Sequence, residues 1–532
     1  MKNSNLKLVL LSSAIIFAGA SAKADQIDYS SYEMLFQEPV TAGATGTPQR
    51  VSDVPINMEI ITAEDIERSA AHDIPEILRQ VAGMSVWRNG FASHDVSVRG
   101  FNQGMSERML VLVNGRQVYL DHYGYVDWNS IPVEINEIKQ IEVVKGPNTA
   151  LYGFNATSGV VNIITYNPLY DNIDVVEATV GTSNFYGGSF VHTFQPSDKA
   201  AFRFSGGGYD VEEFEGPYIP SPNQEQNIID DPQNGRFKLD GIFQLMPGAQ
   251  MDFEFTRSVS EQNEYAIFNV ITDAKYRLTS MKAGFNAESD YGLWEGKVYH
   301  NNSEVDYDFP FSSLAVVDVP VENQVTVAQL SNVFKVGTDH TFRLNGEYRI
   351  NENNIFPQDL GTNSEVRYEV YTTSALWSWD INDSVTFSNA VRYDKLRLNR
   401  KGPTATPDDD ASLNYTNSDF DKTIEELSIN AGLVVKATDN DTFRATYARG
   451  VDLPSIAEFG LQFPTLVGPP FGVSRWFLGN PDIDVSIVNN YELNWQHEFY
   501  EYNSTLQVAA FYQTASDMQS LDDFAKDVDL TS

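Results

Sequence analysis

Residues 138–165 read IKQIEVVKGPNTALYGFNATSGVVNIIT, and the fold turns on this stretch. Ile138, Ile141, Val143 and Val144 form a short apolar run of strand-forming residues. Gly146-Pro147-Asn148 stops it, because Pro147 has no N–H to donate and Gly146 takes backbone angles other residues avoid. Gly153 and Gly159 punctuate the loop that follows, and Val160-Val161-Asn162-Ile163-Ile164 predicts a second strand. Working outward, the residues before it read as a small α/β domain. Those after it read as a long series of membrane-type strands.

The spacing resembles the end of the plug domain of TonB-dependent outer-membrane receptors. Ile141-Glu142, Gly146-Pro147, Tyr152-Gly153, Ala156, Gly159, Asn162-Ile163 and Thr165 all fall at that family's positions. The resemblance implies an N-terminal α/β plug inside a transmembrane antiparallel β-barrel. It also implies energy-dependent import of a scarce nutrient, foremost a ferric siderophore. Cobalamin, haem or a saccharide on the same machinery is the alternative, as is a passive or transport-inactive barrel. The partners implied are a TonB-type periplasmic energy-coupling protein, outer-membrane lipid and a small-molecule ligand such as an iron chelate.

Composition agrees. With 73 acidic and 36 basic residues the formal charge is −37, which argues against a nucleic-acid partner. Cysteine is absent, so no disulfide, thiolate metal site or cysteine nucleophile exists. No run after residue 25 is long and apolar enough for a membrane-spanning helix, so spanning must come from strands.

Residues 1–24 predict a secretory signal peptide, which would send the chain to the outer membrane of a Gram-negative cell. Lys2 and Lys7 give the charged end, Leu8 to Ala20 the apolar core, and Ala20-Ser21-Ala22 or Ala22-Lys23-Ala24 the cleavage site. Residues 25–55 lack periodicity and read as mobile. Within them Glu33, Met34, Leu35, Phe36, Gln37, Glu38, Pro39, Val40, Thr41 and Ala42 resemble a TonB box. Such a segment is captured as an added strand, lending its backbone donors and acceptors to a partner's sheet edge.

Residues 56–166 form the expected plug. Thr62 with Asp65 predicts a capped helix from Ala63 to about Ala71, and Asp73 caps a second through Gln80. Asn114-Gly115 between Met109–Val113 and Arg116–Tyr119 predicts a β-hairpin. Val96 to Phe101 matches the family's strand ending in Arg-Gly. By the resemblance three loops face the ligand. They supply Arg88, Asn89, Phe91 and His94, then Asn102 and Gln103, then His122, Tyr123, Tyr125 and Trp128. Aromatic-rich loops offer large contact area at low entropy cost. His94 and His122 are also candidate axial ligands to haem iron. However, the stretch from Tyr447-Ala448-Arg449-Gly450 to Asn480-Pro481 has no histidine where haem receptors carry one, which argues against haem. No cofactor and no resident metal is expected, and no P-loop, dinucleotide, zinc-protease or serine-hydrolase motif is present, so no enzyme is expected.

Residues 167–532 follow period two. Met251, Phe253 and Phe255 alternate with Asp252 and Glu254, and Tyr491, Leu493, Trp495 and Phe499 with Glu492, Asn494, Gln496 and Glu498. One apolar and one polar face suits a strand between lipid and water. Short connections (195–199, 246–249, 289–292, 337–340, 382–383, 438–440) alternate with long ones expected at 210–233, 260–275, 306–324, 352–365, 400–423 and 451–487. The pattern predicts roughly fifteen strands, of an expected 22 in plugged transporters, and hence an incomplete barrel in a C-terminally truncated chain.

Overall fold

The computed structural model describes residues 39–41, 49–100, 108–214, 231–266, 270–312, 315–355, 364–402, 415–460, 462–466, 474–502 and 504–517. The expected signal peptide, Glu33 to Glu38, Ala42, Asn102 and Gln103 lie outside them.

The first unit contains strands β1 (Val40–Thr41), β2 (Gln49–Arg50), β3 (Met58–Thr62), β4 (Met84–Arg88), β5 (His94–Val98), β6 (Met109–Val113), β7 (Arg116–Gln117), β8 (Ile138–Lys145) and β9 (Gly159–Thr165). Five of them make one sheet in the order β3-β8-β9-β6-β7, with β6 and β9 parallel. Helices α1 (Ala63–Arg68) and α2 (Ile74–Leu78) are shorter than expected. The caps are as predicted: Thr62 and Asp65 form a reciprocal capping box, and the Asp73 side chain accepts from Glu76 N at 2.8 Å. What shortens α1 is Ser69, which leaves helical geometry. Ile66, Ile74, Ile77 and Leu78 pack with the buried valines and isoleucines of the sheet into one core.

In the defining stretch both strands appear, and the loop between them holds a four-residue helix, α3 (Thr149–Tyr152). Gly159 is required for a steric reason: a Cβ there would lie 2.6 Å from the Val144 carbonyl oxygen. The predicted Asn-Gly hairpin forms with both residues at positive φ, Asn114 at 48° and Gly115 at 71°, the twist that two-residue hairpins favour.

The second unit is a 15-stranded antiparallel sheet, matching the predicted count. Its strands are β10 (Asp174–Val180), β11 (Tyr186–Ser197), β12 (Ala200–Asp210), β13 (Gln233–Met246), β14 (Ala249–Ala266), β15 (Val270–Ser289), β16 (Gly292–Ser312), β17 (Ala315–Val336), β18 (His340–Ile355), β19 (Ser364–Asn382), β20 (Val385–Lys401), β21 (Lys422–Lys436) and β22 (Asp441–Asp452). After β22 come helix α4 (Ile456–Gly460) and a separate hairpin of β23 (Gln462–Leu466) and β24 (Ser474–Leu478). Strands β25 (Ser486–Phe499) and β26 (Ser504–Ser516) complete the sheet. The outer strands β10 and β26 each have one neighbour, and their side chains are largely exposed. Elsewhere Met251, Val298, Leu330 and Leu344 point out, while Ser258, Gln262, Asn323 and Asn351 are buried inside.

Two expected long loops are strands instead. β14 continues to Ala266 with β15 starting at Val270, and β16 continues to Ser312 with β17 starting at Ala315. The ladder persists there through polar cross-strand partners, among them Lys275–Glu261 at 3.2 Å and Arg277–Asp306 at 2.6 Å. Within residues 25–55, the described residues 39–41 and 49–55 are ordered against the plug. Val40 and Thr41 are fully buried, and Val51 N donates to Pro39 O at 3.2 Å, because the plug offers this short piece both a strand partner and side-chain donors.

Candidate functional site

The third expected ligand loop is tied back on itself, with Leu120 N donating to Tyr125 O at 2.8 Å. That closure pushes its aromatic side chains sideways into the barrel wall. His122 Nε2 lies 3.2 Å from the Tyr307 hydroxyl, and the Tyr125 hydroxyl lies 3.1 Å from the same atom. Tyr276 joins at 3.3 Å from Tyr307 and also donates to Glu264. Tyr123 packs edge-on to Tyr307 with ring centroids 5.3 Å apart. Burial pushes the His122 imidazole down to about 3, so it is neutral at physiological pH.

Helix α4 covers this loop. Ile456 N donates to Asp121 O at 3.1 Å and Ala457 N to His122 O at 3.0 Å. These are first-turn N–H groups with no partner inside the helix, so plug carbonyls satisfy them. The Asp121 carboxylate accepts from Gln117 Nε2 at 3.0 Å and Asn351 Nδ2 at 2.8 Å, with Arg349 at 3.8 Å. Burial raises its pKa to about 6, against the pull of Arg349 and the two donors.

The first loop is anchored separately. Phe91 N donates to Glu213 Oε1 at 2.7 Å, and the Phe91 ring sits among Phe185, Tyr209 and Phe214 at 5.5–5.9 Å. Arg88 lies over the rings of Phe91 and Phe214 and donates to Phe91 O and Glu76. Asn89 donates to Asp95 at 2.8 Å. His94 is buried with its Nε2 3.5 Å from Asp73, and burial outweighs that carboxylate in holding its pKa below the usual histidine range. Trp128 is in the plug core. The described candidates thus form two groups, each packed on the wall, rather than one surface.

At the other end of the plug, Val40 and Thr41 are clasped by the defining stretch. Gln140 Nε2 donates to Val40 O at 3.0 Å and to Glu142 Oε1 at 3.2 Å. Glu142 also accepts from Asn162 Nδ2 at 2.9 Å and from the Thr41 hydroxyl. Its carboxyl is raised by burial, with those three hydrogen bonds opposing. The motif match picks out Glu142, but not that it holds the N-terminal segment. A Gln-x-Glu pair inside an otherwise apolar strand was the available signal.

Buried ion pairs fix the plug to the wall: Arg99–Glu492 at 2.8 Å, Arg108–Asp452 at 3.1 Å, Arg116–Glu254 at 2.9 Å, Glu134–Arg236 at 2.7 Å and Glu137–Lys238 at 3.1 Å. Such pairs are geometric fasteners, since desolvation offsets much of their Coulomb attraction. Among the described residues no group of three or more His, Asp or Glu is placed to hold a metal, and no helix is long and apolar enough to cross a membrane.

Residues 50–160 match the family model of the TonB-dependent receptor plug domain, and residues 145–531 match that of the TonB-dependent receptor-like β-barrel. Among curated proteins, the vitamin B12 transporter BtuB of Vibrio vulnificus is 31% identical over 204 residues, 38% of this chain and 32% of that one. The iron-regulated outer membrane virulence protein of Vibrio cholerae is 31% identical over 167 residues, 30% of this chain and 23% of that one. The matched stretch spans about a third or less of these relatives' length. Among solved structures, the alcaligin outer membrane receptor FauA of Bordetella pertussis superposes with a TM-score of 0.66 at 15% identity, covering 90% of this chain and 73% of that one. The ferric yersiniabactin uptake receptor FyuA of Yersinia pestis gives 0.64 at 15% identity, covering 87% and 73%. At these identities the likeness is one of fold.

Proposed function

We propose that this chain, a member of the TonB-dependent receptor family, imports a scarce nutrient complex, foremost a ferric siderophore, across the outer membrane under power from a TonB-type periplasmic protein. The family consists of transporters and receptors rather than enzymes. The observation that carries the reading is the clasp on Val40 and Thr41. The end of the TonB-box-like stretch is held by hydrogen bonds to Gln140 and Glu142 of one plug strand, β8, where a release can be coupled to the state of the plug. A passive pore needs no such segment.

On this reading residues 1–24 are removed on export and residues 25–55 carry the coupling stretch Glu33–Ala42. Residues 56–166 are the plug and 167–532 the barrel. Cargo meets Arg88, Asn89, Phe91 and His94, then Asn102 and Gln103, then His122, Tyr123, Tyr125 and Trp128. Contact with the third loop requires α4 to lift from Asp121 and His122. Cargo drives that movement only to the extent that it binds the lifted state better. Cobalamin is the second reading, favoured by the identity with B12 transporters.

The test is uptake by a receptor-deficient Gram-negative strain expressing the chain, offered labelled ferric siderophores and cyanocobalamin with and without an uncoupler. Energy-dependent uptake of one of them supports the proposal and names the cargo. Deleting Glu33–Ala42 is expected to abolish uptake and spare binding; equal loss of both refutes the coupling role.

A further inference from the structure

One part of the plug–wall boundary is left open. A cavity of about 410 Å3 lies there, with Leu110, Leu112, Asn162 and Ile164 of the plug on one side. The wall side carries Asp252, Lys282, Glu295, Lys297 and Arg343. Gly248 and Ala249, at the short turn before β14, also line it, so the cavity reaches the short-turn side of the barrel.

The charges in it are unevenly matched. Lys282 pairs with Asp252 at 3.2 Å, and Arg343 Nη2 with Glu295 at 3.2 Å. Lys297 has no carboxylate at ion-pair distance among the described residues, although Glu295, Lys282, Arg343 and Glu347 are all near enough to act on its charge. Its Nζ donates instead to the Gly115 carbonyl at 2.7 Å. The buried Nε of Arg343 has no partner among the described residues. A neutral carbonyl is a weaker acceptor for an ammonium than an anionic oxygen. Gly115 is the tip of the β6–β7 hairpin, whose base is held independently by Arg116 to Glu254 and Ser280 and by Asn301 Nδ2 to Gln117 O.

We propose that this cavity is a transit subsite for cargo bearing anionic oxygen groups, such as carboxylate or catecholate chelates. Lys297 is its specificity-determining residue. An anionic oxygen entering the cavity replaces the Gly115 carbonyl as the partner of Lys297 and takes the free Arg343 Nε–H as a second donor. The Gly115 carbonyl is thereby released from the wall, while Asn114, which donates to Glu254 and Thr165, and the base of the hairpin stay fastened. The proposal rests on the transporter reading, and it makes passage selective by charge between the plug and the wall.

The test uses the full chain in detergent micelles and citrate as an oxygen-rich anionic probe. Hydrogen–deuterium exchange is followed in the peptide spanning Met109–Gln117, with sodium chloride at equal ionic strength and glycerol as controls. Citrate is expected to speed exchange at the hairpin tip several-fold in the wild type and in Lys297→Arg. In Lys297→Met exchange should be fast already and indifferent to citrate. Lys275→Met, a cation on β15 outside the cavity that pairs with Glu261, should keep the response and guards against a general loss of folding. No effect of citrate on the wild type, or an equal effect on Lys297→Met, overturns the proposal. The readout needs no energised uptake, so failure here is distinguishable from failure of the transporter reading.

Discussion

Replacing Gln140 with Ala isolates the clasp on Val40 of the proposed coupling segment. The substitution removes the 3.0 Å hydrogen bond to Val40 O and leaves that carbonyl buried without its donor. A net hydrogen bond contributes about 1 kcal/mol, and an unsatisfied buried group costs about 1–3 kcal/mol, so the docked state should lose about 1–2 kcal/mol. That moves the ratio of docked to released segment by a factor of roughly 5–30. When only the released state is captured, apparent affinity scales with its population, so capture should tighten by the same factor. The assay is calorimetric binding of the purified receptor, without cargo, to the soluble periplasmic domain of a TonB-type protein. Unchanged or weaker capture by Gln140→Ala would refute the clasp as the restraint on release.

Three further outcomes are expected. Arg99→Ala leaves Glu492 buried without its counter-charge and should lower stability by about 3–5 kcal/mol in denaturant unfolding, whereas Arg99→Met with Glu492→Met should recover most of that loss. Asp121 is raised from 3.8 to about 6, so the stability it contributes is present below about pH 4 and is lost as pH rises through 6; Asp121→Asn should remove that slope from the difference in melting temperature between variant and wild type. Phe91→Ala gives up three aromatic contacts, each worth about 0.5–1.5 kcal/mol, and should expose the plug's first loop to limited proteolysis at temperatures where the wild type resists.

The strand count was legible because one outward and one packed face impose a two-residue alternation, and the plug because the spacing of Gly146-Pro147, Tyr152-Gly153 and Gly159 stands in the sequence. The tall hairpins were not. Around Glu261, Gln262 and Asn263, and again at Asp306 and Asp308, polar side chains interrupt the apolar alternation and read as loop, while the backbone ladder continues. The aromatic richness of the third plug loop was visible, but its partners were not. His122 meets Tyr307 across 185 positions and Tyr125 meets Glu264 across 139, and no local pattern encodes contacts so far apart. The TonB-box-like stretch is proposed by resemblance, and the burial of Val40 and Thr41 within it had no sequence signal because two residues make too short a strand to show a period.

The tall hairpins change how the mouth of the barrel handles a molecule that has already arrived. β17 has 22 residues. At about 3.4 Å per residue and a tilt near 40°, such a strand rises about 57 Å, roughly 30 Å more than an apolar band about 25 Å tall. On the proposed function, a cargo molecule that lets go of the plug beside such tall hairpins meets their walls and strikes the plug again before it escapes. Rebinding of this kind lengthens residence without any stronger contact, so a receptor with a tall mouth can hold a dilute nutrient with a modest site and still release it readily inward.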